Sequence, residues 1–168
     1  SNTTVRINVT RRIRVSLFGA FFIIDTNSLH SLILYETMKR IARFHKVSFE
    51  QYKKDWEEVF GKEDEAVIRE VWEQIKLPAR ATKGSAGYDF YAPKHFSVAV
   101  GKTIMIPTGI RVEIEEGWVL KCYPRSGFGF KFRLQLNNTV GIIDSDYFYS
   151  DNEGHIFAKI TNDSNEGK

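Results

Sequence analysis

Hydrophobic positions change their spacing along the chain at two places, near Met38 and near Pro78. Between those breaks the spacing is helical. Phe49, Tyr52, Trp56, Val59 and Phe60 recur every three or four residues, with Ser48 as the N-cap and Gln51 three residues on as in a capping box. Gly61 ends that helix. A second helix starts near Glu63, whose acidic first turn Glu63-Asp-Glu65 suits the positive helix end; it is predicted to bury Val67, Ile68, Val71, Trp72 and Ile75 and to stop at Pro78. The two make a helical hairpin packed on whatever follows.

After Pro78 the pattern shortens to strands separated by Gly and Pro. Phe96–Val100, Thr103–Ile106, Ile110–Ile114, Trp118–Tyr123, Leu134–Leu136 and His155–Ile160 read as strands, punctuated by Gly101, Pro107-Thr-Gly109, Glu116-Gly117 and Pro124. Regular short strands imply a mainly β sandwich or jelly roll. Before Met38, Ile13–Ile24 is an apolar run behind Arg11, Arg12 and Arg14. It is shorter than the ~20 residues that span a bilayer, and no small-x-small cleavage site follows it. Three regions result: an uncertain N-terminal segment at 1–37, read as read-through ahead of Met38; a helical hairpin at 38–77; and a β domain at 78–168.

Composition adds limits. With 168 residues and 42% hydrophobic content the chain can bury one real core. Its net charge is +3, but Arg6, Arg11, Arg12 and Arg14 supply the excess, and from Met38 onward 20 basic residues face 19 acidic ones, so there is no nucleic-acid footprint. The single cysteine, Cys122, excludes an internal disulfide framework or a multi-Cys zinc site, and fits a reducing, cytoplasmic setting. The four histidines have no ligand spacing.

The chemistry concentrates in 124–147, read as a β-hairpin. Pro124-Arg-Ser-Gly127 combines a cation, a hydroxyl and a glycine that lets backbone N–H groups approach an anion, although a simple turn at Pro124 explains it equally well. Asn138 offers an amide that can donate and accept at once, with Asn137 as the alternative turn residue. Asp144 follows the apolar stretch Val140-Gly-Ile-Ile143, which would hold it rigidly and partly desolvate it as a general base. Asp146, two residues on, would share its face in a strand. By itself an Asp-Ser-Asp turn explains both acids.

Together with Ala86-Gly-Tyr-Asp-Phe-Tyr-Ala92, these segments resemble the trimeric dUTP diphosphatases (dUTPases), whose first three motifs read A-G-x-D-[LF]-x-A, P-R-S-G and V-G-x-I-D-x-D-Y. The resemblance covers roughly residues 76 to 162. It implies a dUTPase-like distorted jelly roll or β-clip behind the N-terminal helical hairpin, and hydrolysis of dUTP to dUMP and pyrophosphate with Mg²⁺ in a cytoplasmic homotrimer whose sites lie between subunits. By the same resemblance Asp144 is the catalytic base. Arg125, Ser126 and Gly127 bind the phosphates, Asn138 and the backbone around Gly141 read the uracil edge, Tyr147 packs on the deoxyribose, and Asp89 organises the metal through water.

The related dCTP deaminases need a catalytic glutamate in a different third motif. A non-catalytic nucleotide-binding or interaction module is the reading from another class. Two departures from the family stand out: Phe148–Glu153 separates Tyr147 from Gly154, where members run D-Y-x-G, and the fourth motif, G-x-R-x-A-Q, and the fifth, a Gly-rich arm, would lie beyond Lys168. The expectation is a chain truncated at its C-terminus.

Overall fold

A computed structural model describes residues 40–164 in full and residues 13–19 as backbone. Met38 as a start site and the apolar run beyond Gly19 lie outside the described residues. Among the described residues nine strands form three antiparallel sheets. β1 (Ile13–Gly19), β3 (Gly87–Phe90), β6 (Trp118–Tyr123) and β8 (Gly141–Ile143) make the first, in the order β3-β1-β6-β8. β2 (Ala42–Lys46) pairs with β5 (Ile110–Ile114), and β4 (Thr103–Pro107), β9 (Phe157–Asn162) and β7 (Leu134–Leu136) make the third, in the order β4-β9-β7. The fold is mainly β.

The helices form where the apolar spacing places them, α1 at Phe49–Phe60 and α2 at Glu65–Glu73. Ser48 caps α1 by accepting from the Gln51 N–H, and Gly61 closes it at φ 86°. The reciprocal half of the expected capping box is absent. Gln51 turns inward to Asp55, and the Ser48 N–H donates instead to Glu153, 105 residues away. α2 starts later than the acidic run suggested, because Asp64 itself is the cap, accepting from the Ala66 N–H. Ile68, Val71, Trp72 and Ile75 form the inward stripe; Val67, expected inside, lies one position round the helix and is 43% exposed.

One core joins these helices to the β strands. Tyr52, Trp56 and Ile68 pack with Phe90, Ile110, Val112 and Leu120, while Phe96, Ile106, Leu134 and Ile160 form a second cluster, with Phe60 touching both. Ile68 is fully buried, and burial of an aliphatic side chain of this size stabilises by about 1.5–3 kcal/mol.

Three sequence expectations are corrected. Phe96–Val100 buries Phe96 and Val98 but is not a strand: the Val98 carbonyl accepts from the Asn162 side-chain amide rather than from a neighbouring ladder. Residues 124–147 are not a β-hairpin either. They run through a short helix α3 (Ser126–Phe132), then β7 and β8, and those two strands belong to different sheets. Asp144 and Asp146 therefore do not share a strand face. Asp144 precedes a 3-10 helix at Ser145–Tyr149, and both acids are exposed.

Candidate active site

Two segments distant in sequence meet at Asp89. β3 carries it, and its backbone is fixed by paired bonds with Ala79, the Asp89 N–H donating to the Ala79 carbonyl at 2.8 Å and the reverse bond spanning 3.3 Å. The side chain is 1% exposed and faces Arg125, whose Nη1 lies 3.5 Å from Oδ2. Arg125 is the N-cap residue of α3, so Ser126 and Gly127 occupy the first turn, where helical N–H groups precede the first intrahelical bond and can turn to an anion. The P-R-S-G segment is thus a loop entering a helix.

The next residues lie on the loop between β7 and β8. Asn137 accepts from the Thr161 hydroxyl at 2.8 Å, which commits its side-chain oxygen to the sheet. Asn138 is exposed, and its amide nitrogen lies 3.6 Å from where a Cβ on Gly141 would stand; Cys122 Cβ is 3.1 Å from the same point. A Cβ at 141 would crowd Cys122 and stand in ordinary contact with Asn138. Gly141 faces Cys122 across the ladder, so this loop lies at the Arg125 end of β6.

Asp144 lies at the other end. Ile143 pairs with Leu120 and Gly141 with Cys122, which places Asp144 level with Val119. At ~3.3 Å per residue, roughly 13 Å of strand separates that level from the end of β6, and Arg125 lies further on. Within one chain the structure therefore groups Asp89 with Arg125, Ser126 and Gly127, brings Asn138 and Gly141 towards that end, and holds Asp144 with Tyr147 apart.

Tyr147 is half-buried and held at both ends. Its hydroxyl donates to the His155 carbonyl at 2.8 Å and accepts from the Asn152 amide at 3.0 Å; its own carbonyl accepts from the N–H of Ser150 at 3.1 Å and from the Ser150 hydroxyl at 2.7 Å. The residues separating Tyr147 from Gly154 are therefore folded back on the tyrosine.

Sequence reading missed the residues that hold this segment. Glu153 accepts from both the N–H and hydroxyl of Ser48 and lies 3.5 Å from Arg111. Burial pushes the Glu153 carboxyl up, but the two Ser48 bonds and Arg111 outweigh it, leaving it below the usual range. Asp55 and His155, both buried, are hydrogen-bonded through Nδ1, while His155 Nε2 accepts from the Gly109 N–H at 2.7 Å. Nδ1 therefore carries the ring proton and Asp55 is the acceptor. Only the unexplained length of 148–153 signalled this region, and no local pattern links it to Ser48 or Asp55.

Among the described residues no group of three His, Cys, Asp or Glu side chains could hold a metal ion. Asp89 is a single carboxylate already beside a guanidinium. That donor set fits a Mg²⁺ held mainly by phosphate oxygens and its own water, not a protein-built cage.

A sequence model of the dUTPase family matches residues 73–166, more than half of the chain. The chain belongs to the dUTPase family. The deoxyuridine 5'-triphosphate nucleotidohydrolase of Lactococcus lactis is 44% identical over 93 residues, 55% of this chain and 62% of that protein. Its counterpart from Shewanella baltica is 46% identical over 77 residues, 44% of this chain and 51% of that protein. The chain thus spans between half and two thirds of these curated relatives. The crystal structure of a dUTPase from Streptococcus mutans shares 38% identity, covering 54% of this chain and 71% of that one, with a TM-score of 0.49. The family match begins at Glu73, the last residue of α2, so α1 and nearly all of α2 lie outside it. No helix among the described residues is long and apolar enough to cross a membrane.

Proposed function

We propose that the protein is a dUTP diphosphatase that converts dUTP to dUMP and pyrophosphate. The observation that carries this reading is the meeting of Asp89 with Arg125 next to Ser126 and Gly127, on the segments the family match covers. Arg125, Ser126 and the first-turn N–H groups of α3 hold the phosphate chain, combining a charge with directional donors. Asn138 and the backbone at Gly141 bond the uracil edge, which an amide can separate from cytosine because a mismatched base leaves buried partners unpaired. Tyr147 lies against the deoxyribose.

Asp144 accepts a proton from water as the water's oxygen attacks the α-phosphorus and pyrophosphate leaves. A base must stand within hydrogen-bond reach of its proton, so the separation of Asp144 from Arg125 favours sites assembled from different copies of the chain, as in a homotrimer. The outward-facing Phe130, 91% exposed, and Ile142, 52% exposed, are apolar groups such an assembly would cover. Asp89 would hold Mg²⁺ through water; when bound, the ion supplies positive charge against the triphosphate. Cytoplasmic residence is part of the same reading: the substrate is a free nucleotide, and a lone buried cysteine suits a reducing setting.

The test replaces Asp144 with Asn. Loss of dUTP hydrolysis with dUTP binding retained supports the proposal. Binding without any wild-type hydrolysis would favour the non-catalytic module, and ammonia release from dCTP would favour the deaminase.

A further inference from the structure

Helix α1 grips the two residues that flank Gly154. At its N-terminus the Ser48 N–H and hydroxyl donate to the Glu153 carboxylate at 2.8 and 2.6 Å. Two turns later Asp55 accepts from His155, which is fixed on its other nitrogen by Gly109. Arg111 completes the attachment: it lies 3.5 Å from Glu153, donates to the Phe148 carbonyl at 2.6 Å, and sets its guanidinium 3.7 Å from the centre of the Phe148 ring.

The backbone between those anchors is pinched onto Tyr147. Glu153 has φ 58° and Gly154 φ 70°, and a Cβ on Gly154 would lie 2.6 Å from the Tyr147 carbonyl oxygen. A left-handed φ is uncommon for glutamate, so backbone preference does not explain Glu153, whereas its carboxylate bonds to Ser48 do. The Tyr147 hydroxyl donates to the carbonyl of His155, one of the gripped residues.

We propose that α1 positions Tyr147, and thereby sets the preference for deoxyribose over ribose, with Ser48 and Asp55 acting through Glu153 and His155. This rests on the reading of Tyr147 as the sugar-facing residue. A helix that only stabilised the fold would change the affinity of deoxy and ribo nucleotides alike. A helix that positions the tyrosine changes their ratio.

The experiment measures, on the full chain with Mg²⁺, dissociation constants for the non-hydrolysable α,β-imido analogues of dUTP and UTP, with melting curves to check folding. Glu153→Ala should cut the deoxy preference by about tenfold, a large part of the ~10²-fold discrimination a shaped pocket gives against an added hydroxyl. Glu153→Gln and Ser48→Ala, which each keep part of the contact, should cut it less, and they carry the test if Glu153→Ala does not fold. Ile68→Ala, which loosens the hairpin away from these contacts, should leave the ratio unchanged.

An unchanged ratio in the Glu153 and Ser48 variants, with a reduced one in Tyr147→Ala, overturns the proposal and leaves the tyrosine's role standing. An equal loss in Ile68→Ala and Glu153→Ala also overturns it. No change in Tyr147→Ala, or no binding of either analogue by the wild type, removes the underlying reading and the proposal with it.

Discussion

Replacing Gly154 with Ala separates two costs that the structure places at one residue. Gly154 has φ 70°, a left-handed conformation that costs an L-residue about 1–2 kcal/mol. Its added Cβ would also lie 2.6 Å from the Tyr147 oxygen and 2.8 Å from Phe148 Cα, both backbone atoms that cannot swing aside. Overpacking of this kind adds about 1–3 kcal/mol, so the total is about 2–5 kcal/mol. Gly101 provides the comparison: its φ is 72°, but nothing stands within 4 Å of its Cβ position, so Gly101→Ala carries the conformational cost alone. For a domain of this size a kilocalorie corresponds to about 4 °C in melting temperature. Thermal unfolding followed by circular dichroism should therefore show a loss of about 8–20 °C for Gly154→Ala and about 4–8 °C for Gly101→Ala. Equal losses in the two variants would refute the close packing of 147–148 against Gly154.

Asp55→Ala should destabilise by about 2–6 kcal/mol, about 1–3 kcal/mol for each of the buried His155 and Gln51 donors it leaves without an acceptor; Asp55→Asn, which keeps an oxygen, should cost less when both are measured by urea titration. Burial pushes the Asp55 carboxyl up, yet hydrogen bonds from His155 and Gln51 outweigh it and hold it below the usual carboxylate range. Its contribution is therefore complete above the unfolded-state carboxylate pKa and is lost as pH falls through the lowered folded value, so Asp55→Asn should flatten the acid limb of the stability profile. Burial raises the Cys122 thiol to about 12, so it should resist thiol reagents at pH 8 in the folded protein and react once urea unfolds it, which a colorimetric thiol titration checks.

How much of this was legible in the sequence depended on the range of the interaction. Local signals carried well: the Tyr52, Trp56 and Ile68 spacing, the Ser48 cap and the Gly61 stop all correspond to observed features of the helical pair. β2 is hard to read from the sequence because Phe44 is the one large apolar residue in Ala42–Lys46, and its pairing with β5 decides its conformation. Phe96, Val98 and Val100 have the alternation but pair with no strand among the described residues. At the site, residue types were readable from motifs, but grouping was not. Nothing local shows that Asp89 faces Arg125, that Asp144 lies towards the far end of β6, or that Glu153 takes half of a capping box 105 residues away. Those contacts depend on how the sheets close.

In the proposed reaction water attacks the α-phosphorus of dUTP. Hydrolysis in ¹⁸O-labelled water with Mg²⁺, read by mass spectrometry of both products, tests it most directly. One ¹⁸O in dUMP and none in pyrophosphate, with Asp144→Asn failing to form either product, is the result predicted. Label in the pyrophosphate, or undiminished turnover by Asp144→Asn, would contradict it.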